Sequence, residues 1–324
     1  MNISVIIPVY NVEPFIERCL RSIMGQSFSE GVECIIVNDC TPDNSIEIAK
    51  QLIDEYKGKI QFRIISHEKN RGLAAARNTG LEASSGTYIL HIDSDDYCEP
   101  DMLEQLYMEA IRTNADIVCC NIFIEYATCQ EQVCYPYVKE LRSDLIRLHP
   151  IFCAVWNKLV TKELYSKHGI TFFPDVTMWE DLGVTCRLRY FSQSTVILPK
   201  ALYHYNKQNI FSIVSQPSRR KIDEQILCAS LLEDFFKTQG ELDYNNLAFI
   251  ISFIKFESKR SLIWDAANRD IVAWKNIYPE TNRHIWHYTA LSKSIRLTLI
   301  LAAIGFPKFA CRLIDRNHNR KSRN

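Results

Sequence analysis

Five stretches in the first 120 residues are short, rich in β-branched side chains and nearly continuously apolar: 3–9 (ISVIIPV), 32–37 (VECIIV), 60–66 (IQFRIIS), 87–92 (TYILHI) and 116–120 (DIVCC). Apolar runs of this length without alternation suit strands covered on both faces. Between them, at 12–25, 44–57, 71–84 and 100–113, apolar residues return at helical spacing. In TPDNSIE (41–47), Asp43 or Asn44 stands where a helix cap is wanted, and Glu47 is spaced to close a capping box. Strand and helix in alternation predict an α/β fold on a mostly parallel sheet flanked by helices. From about residue 141 the pattern turns helical, with aromatic-rich connectors at 149–159 and 201–215 and two longer amphipathic helices at 219–239 and 244–268.

Composition narrows the classes. Lys+Arg and Asp+Glu are both 38, so no net positive field draws nucleic acid, and no basic platform interleaved with aromatics is present. Hydrophobic residues make up 47% of the 324, enough for a substantial core. The 12 cysteines show neither a CxxC pair nor zinc-type spacing and read as reduced, mostly buried thiols of a cytoplasmic protein. The start, MNISVIIPVYN, reads as a first strand and not as a signal peptide.

The C-terminus differs. LTLILAAIGF (297–306) is too short to span a bilayer and is flanked by Lys293 and Arg296 before it and by Lys308, Arg312, Arg316, Arg320, Lys321 and Arg323 after it. An interfacial helix with a polybasic tail, peripheral on the inner face of the membrane, has this pattern. So does a last core helix followed by a solvated tail.

In parallel sheets ligands bind beyond the carboxyl ends of the strands. Asn38-Asp39 follow the second strand, and Asp93, Ser94, Asp95 and Asp96 follow the fourth. Crowded carboxylates repel, and a hard cation relieves that repulsion. Asp93-Ser94-Asp95 therefore suits Mg2+ or Mn2+ held between protein and a diphosphate; the plainer reading is a turn, with Asp96 leading into a helix start. Asp39 can accept from a base N–H or a ribose hydroxyl, or form an Asx turn. Arg71 and Arg77, in HEKNRGLAAARNTG (67–80), suit phosphate contact or an ordinary helix start. Glu180-Asp181 open a helical pattern, where acids favour the dipole; a carboxylate there can also serve as a general base. No GxGxxG follows the first strand and no GxxxxGK[ST] occurs, which disfavours a dinucleotide oxidoreductase and removes a P-loop enzyme.

PVYN (8–11), VNDCTPDNS (37–45), NRGLAAARNTG (70–80), HIDSDD (91–96) and WEDLGVTCRL (179–188) come in the order and at roughly the spacing of glycosyltransferase family 2, and the chain resembles that family over about residues 1–215. VWNKLV (155–160) and YHYNKQNIFSIVS (203–215) look like additional blocks of its bacterial polysaccharide members. The resemblance implies a GT-A (Rossmann-like) catalytic domain over 1–215, with 216–324 as a helical C-terminal region. It implies inverting, metal-dependent transfer from a nucleotide-diphosphate sugar, a UDP-hexose or UDP-N-acetylhexosamine, to a glycan or lipid-linked glycan. On the matching positions, Pro8 and Tyr10 would line the base pocket and Asp39 would contact the uracil. Asp93 would meet ribose and metal, and Asp95 would ligate the metal. Asp181 would be the catalytic base with Glu180 beside it. Arg71 and Arg77 lie in the block that approaches the nucleotide, and Trp156 and Lys158 would lie near the donor sugar or acceptor.

Two departures from the family pattern involve three positions. Asn38 and Cys40 stand where the second-strand block usually has Asp and Gly, and Lys207 stands where Arg is frequent. Lysine there keeps the charge but loses the fork. Two rival readings are a non-catalytic nucleotide-sugar binding module, which need not keep Asp181, and a sugar nucleotidyltransferase. The latter should carry a Gly-rich basic loop where YNVEPFIERCL stands.

Overall fold

The structure, a computed structural model, describes residues 1–134, 153–209, 212, 218–288 and 291–321. The connector residues 149–152, the assigned boundary at 215/216 and Arg323 lie outside them. Contacts divide the chain into two compact units, the first running to residue 211 and the second beginning at Ser212.

The first unit opens with β1 (Ile3–Val9), α1 (Glu13–Met24), β2 (Val32–Asn38), α2 (Ser45–Glu55), β3 (Gln61–Ser66), α3 (Leu73–Ala83) and β4 (Tyr88–His91). It continues through β5 (Tyr97–Cys98), α4 (Met102–Thr113), β6 (Ile117–Glu125) and β7 (Gln130–Val133), then β8 (Lys158–Thr161), α5 (Lys162–Lys167), α6 (Glu180–Phe191) and β9 (Thr195–Asn206). The strands form one sheet in the order β3-β2-β1-β4-β8-β6-β9-β5, with β7 on β6. Pairs β1–β2, β1–β4, β2–β3 and β6–β9 are parallel; β4–β8, β6–β8, β6–β7 and β5–β9 are antiparallel. The continuous apolar runs of β1 and β2 are buried throughout, apart from the last residue of β2, because helices cover both sheet faces. Edge strand β3 alternates and leaves Gln61, Arg63 and Ser66 exposed.

All five expected strands exist, but two stretches read as connectors are strands as well. β8 is only four residues long, and β9 is interrupted by Pro199-Lys200, which hides its pattern in sequence. Across β6, Cys120 pairs with Leu198 and Asn121 with Ala201, so Pro199 and Lys200 are extra residues in a bulge, where proline is tolerated. Capping follows expectation only in part, with Asp43 Oδ1 accepting from the Ser45 N–H at 3.2 Å. Asn44 occupies the cap position of α2 without a side-chain cap bond, and Glu47 closes no capping box. Instead the Glu13 N–H donates to Asp43 Oδ2 at 2.8 Å, and the Asn44 N–H donates to Glu13 Oε2 at 3.1 Å, so the starts of α1 and α2 satisfy one another.

The second unit holds α7 (Arg219–Thr238), α8 (Glu241–Trp264), α9 (Ile271–Asn276), a 3-10 helix (Pro279–His287), α10 (Lys293–Ala303) and α11 (Pro307–Lys321). Phe253, Phe256, Trp274, Tyr288, Leu299 and Ile314 form its core. Lys259 is buried there, donating to the carbonyls of Ile277 (2.7 Å) and Tyr278 (3.0 Å) and to Asn282 Oδ1 (3.0 Å). Burial pushes its pKa down to about 7. The apolar run 297–306 is not one surface helix: Thr298, Leu299 and Ala302 face the core, and Gly305, at φ +117°, ends the run in a turn. Among the described residues no helix is long and apolar enough to cross a membrane. All twelve cysteines are free thiols, and all but Cys40, Cys129, Cys134 and Cys153 are buried.

Gly80 lets α3 lie against the sheet, since a Cβ there would come within 2.3 Å of Ile6 Cγ2. Helix propensity alone would make Gly80→Ala stabilising by about 1 kcal/mol. The overlap reverses the sign, and urea unfolding is expected to show a loss of about 1–3 kcal/mol. A stabilised variant would mean that α3 is not held by this contact.

Candidate active site

The three acids after β4 have separate fates. Asp96 is buried and starts no helix: Tyr203 Oη donates to its Oδ2 at 2.6 Å and the Asn206 N–H to its Oδ1 at 2.7 Å. Asp95 Oδ2 accepts from Asn209 Nδ2 at 2.8 Å, and its carbonyl accepts from Asn206 Nδ2 at 3.1 Å. The Asp93 N–H donates to Tyr203 Oη at 3.2 Å, while Ser94 is buried in the same turn. Thus β9 and the residues just after it hold the whole turn. Burial, reinforced by Asp93, raises the pKa of Asp95; burial, Asp95 and Asp93 raise that of Asp96 further.

Arg77 ties this turn to α6. Its side chain is 1% exposed, and Nη2 donates to Asp93 Oδ1 at 2.6 Å. Nη1 donates to Glu180 Oε1 at 2.8 Å and also to Asp181 Oδ1. Burial works against the guanidinium charge, but Asp181, Asp93 and Glu180 outweigh it and its pKa is raised. Glu180 and Asp181 open α6, following Trp179 in a left-handed conformation at φ +77°, an uncommon one for a bulky residue. Burial and Asp181 raise the Glu180 pKa well above the usual range. For Asp181, burial raises the pKa, Arg77 pulls it back, and Asp93 adds to the rise. Asp93 and Asp181, distant in sequence, therefore share one guanidinium.

Asp39 is 3% exposed and engaged within the protein. Its Oδ1 accepts from the Arg71 N–H (2.8 Å) and pairs with His67 Nδ1 (2.6 Å), while Oδ2 accepts from the Gly72 N–H (2.8 Å). It does not form an Asx turn with the next helix; the Asn38 side chain spans that turn instead, its Oδ1 accepting from the Thr41 N–H three residues on at 2.9 Å. Cys40, in the usual glycine position, sits at φ +56°, so this chain keeps the turn that glycine would favour. Pro8 is buried at the end of β1, whereas Tyr10 and the Arg71 side chain are exposed. Trp156 is 6% exposed and stacks on Tyr203 (4.5 Å) and Tyr205 (5.5 Å). Lys158 is 3% exposed, its Nζ donating to Ala154 O at 2.5 Å and Asn157 Oδ1 at 2.8 Å, and burial lowers its pKa to about 8. A cavity of 740 Å³ lies beside this ensemble, lined by Asn11, Glu13, Phe15, Asp43, Gln208 and Asn209 among others. Asn209 belongs both to this cavity and to the partners of Asp95.

Residues 4–158 match the Glycosyl transferase family 2 description. The chain is 35% identical over 233 residues to the uncharacterized glycosyltransferase EpsJ of Bacillus subtilis (strain 168), covering 69% of this chain and 66% of EpsJ. It is 31% identical over 255 residues to the putative glycosyltransferase EpsH of the same organism, covering 74% of this chain and 71% of EpsH. The chain belongs to glycosyltransferase family 2. Among solved structures, S. aureus TarS 1–349 in complex with UDP-GlcNAc superposes with a TM-score of 0.74 at 20% identity, covering 99% of this chain and 92% of that 1–349 segment, a likeness of GT-A fold.

For a family 2 glycosyltransferase the sequence reading missed Tyr203, Asn206, Asn209 and His67, each now a partner of a site carboxylate. The aromatic block at 203–215 pointed to the first three only as family resemblance, since Asn209 and Asp95 are 114 residues apart. A divalent metal fits the donor set. Among the described residues no group of three His, Cys, Asp or Glu forms a metal cage. Asp93 and Asp95, each with one oxygen already engaged by Arg77 or Asn209, would supply two carboxylates, the usual protein share for Mg2+ when phosphate oxygens and water complete its shell.

Arg77→Met would leave three carboxylates without their shared cation. At neutral pH a loss of about 3–5 kcal/mol in urea unfolding is expected. Glu180 and Asp181, already raised in the folded protein, would be raised further above their unfolded values, so they stabilise the fold relative to neutral pH once protonated. The deficit should therefore shrink as pH falls toward 5. A deficit independent of pH would assign the loss to packing.

Proposed function

We propose that this glycosyltransferase transfers a hexose or N-acetylhexosamine, with inversion, from a UDP-sugar to a hydroxyl of a glycan or lipid-linked glycan. The setting is cell-surface polysaccharide synthesis at the cytoplasmic face of the membrane. The observation that carries the reading is the shared Arg77 guanidinium, which joins Asp181, the candidate base, to Asp93 of the Asp93-Ser94-Asp95 turn.

In this reading Asp181 takes the proton of the acceptor hydroxyl. Its raised pKa makes it a stronger base than an ordinary aspartate, while Arg77 keeps it from being neutralised altogether. Arg77 orients Asp181 and Glu180 toward the turn that holds the donor's diphosphate. Asp93 and Asp95 would hold Mg2+ or Mn2+, which supplies charge neutralisation for the leaving diphosphate when bound. Pro8 and Tyr10 line the base pocket. Asp39 acts on the base partly through the 67–72 loop, since its oxygens hold the Arg71 and Gly72 N–H groups. Arg71, with its exposed side chain, is the arginine that meets the nucleotide, and Ser94 and Arg77 shape the turn beneath it. Trp156 and Lys158 support the sugar and acceptor side from the buried layer below. Nucleic acid has no role.

Thermal unfolding with a panel of nucleotides and nucleotide sugars, with and without Mn2+, tests the class, because a ligand that binds the folded state alone raises apparent stability. A Mn2+-dependent shift with UDP and one or two UDP-sugars is expected, and a shift with GDP alone would overturn the uridine assignment. Asp181→Asn should keep that shift and lower turnover about 10²–10⁴-fold. Its proton must be absent for catalysis, so wild-type turnover should fall with decreasing pH through an inflection above the ordinary aspartate value of about 3.9. Retained turnover in the variant would remove Asp181 from the role.

A further inference from the structure

We infer that the turn between α10 and α11 is an anionic-lipid docking tip; this deepens the proposed function by naming how the enzyme meets the surface that carries its acceptor. The turn leaves three large apolar side chains in the open within six residues: Ile304 is 64% exposed, Phe306 59% and Phe309 53%. Leu297, 53% exposed, lies seven residues before Ile304 and so on the same outer face of α10, with Leu301 between them packed partly against the core. Its other face, with Thr298, Leu299 and Ala302, is already spent in the core.

On α11 the inner face, Ala310, Cys311 and Ile314, is also in the core. Its outer face carries Lys308, Arg312 and Arg316 at i, i+4 and i+8, all exposed, with Phe309 among them. Asp315, the nearest acid on this helix, is paired with Arg269 at 2.7 Å, so it does not cancel the row. Apolar side chains at a tip bordered by a basic row match a bilayer interface rich in anionic headgroups. A second copy of the chain would have to bring the same cations against themselves, which disfavours self-association on this face.

The geometry differs from a helix lying flat along the membrane. Gly305 at φ +117° turns the chain back, so the apolar residues cluster at the point of a hairpin whose arms are anchored in the core.

The test is flotation of the full chain with phosphatidylcholine vesicles, alone and with phosphatidylglycerol added, in the absence of any donor. Binding only to the anionic vesicles, weakened by salt, is expected. K308Q/R312Q/R316Q should lower partitioning by about two orders of magnitude, each cation being worth about fivefold. I304S/F306S/F309S should abolish stable association. Each variant's thermal shift with nucleotide sugar should match the wild type, which separates this proposal from the glycosyltransferase reading: loss of the shift in the wild type would count against the latter alone. Full vesicle binding by both variants would overturn the docking tip. So would a dimer in sedimentation that I304S/F306S/F309S dissolves.

Discussion

One buried guanidinium organises the candidate active site. Arg77 faces three carboxylates drawn from two parts of the first unit, Asp93 after β4 and Glu180-Asp181 at the start of α6. A buried cation without partners is costly, and so are crowded, largely desolvated carboxylates without a cation. Each side therefore makes the other tolerable, and the segments that carry them are obliged to meet. Arg77 reaches this position because α3 offers small residues, Ala74, Ala76 and Gly80, where it crosses the sheet. One guanidinium does not match three carboxylates in charge, and its Nε finds no hydrogen-bond partner among the described residues. Burial first, and neighbouring carboxylates after it, raise the pKa values of Glu180, Asp181 and Asp95, a condition that a hard cation relieves.

A second constraint comes from β9. Tyr203 stacks on Trp156 while its hydroxyl donates to Asp96 and accepts from the Asp93 N–H. Asn206 and Asn209 complete the hold on Asp95 and Asp96. The turn after β4 is thus braced from a strand that lies beyond β8 and β6 in sheet order. Trp156 and Lys158 belong to this bracing layer. Any influence they have on donor or acceptor passes through the residues they support, since both are buried.

Asp39 illustrates how one residue can satisfy a structural and a ligand-facing reading together. Its carboxylate gathers the Arg71 and Gly72 amides and the His67 ring, and His67 in turn meets Thr79 on α3 at 2.9 Å. The loop that presents the Arg71 side chain to solvent is therefore set by the same acid that the family resemblance assigns to the base. The departure at Asn38 and Cys40 from the Asp and Gly usual there is absorbed locally, with Asn38 spanning the turn and Cys40 adopting the glycine-like backbone.

The sequence by itself determined the α/β class, the five apolar strands, the sheet edge where the candidate acids stand, and the family, because continuous apolar runs and short acidic blocks are local signals. It also singled out Asp39, Asp93, Asp95, Glu180 and Asp181 as candidates for chemistry, since they stand at strand ends and a helix start. Only the tertiary structure decided how they are shared out. β8 and β9 were hidden, one by its shortness and the other by a bulge at Pro199-Lys200. Whether Asp96 faces a ligand or a tyrosine, whether Arg77 meets phosphate or carboxylate, and which half of 297–306 is core all depend on partners many residues away. Contacts of that kind follow from how helices and strands pack and leave no periodic trace along the chain.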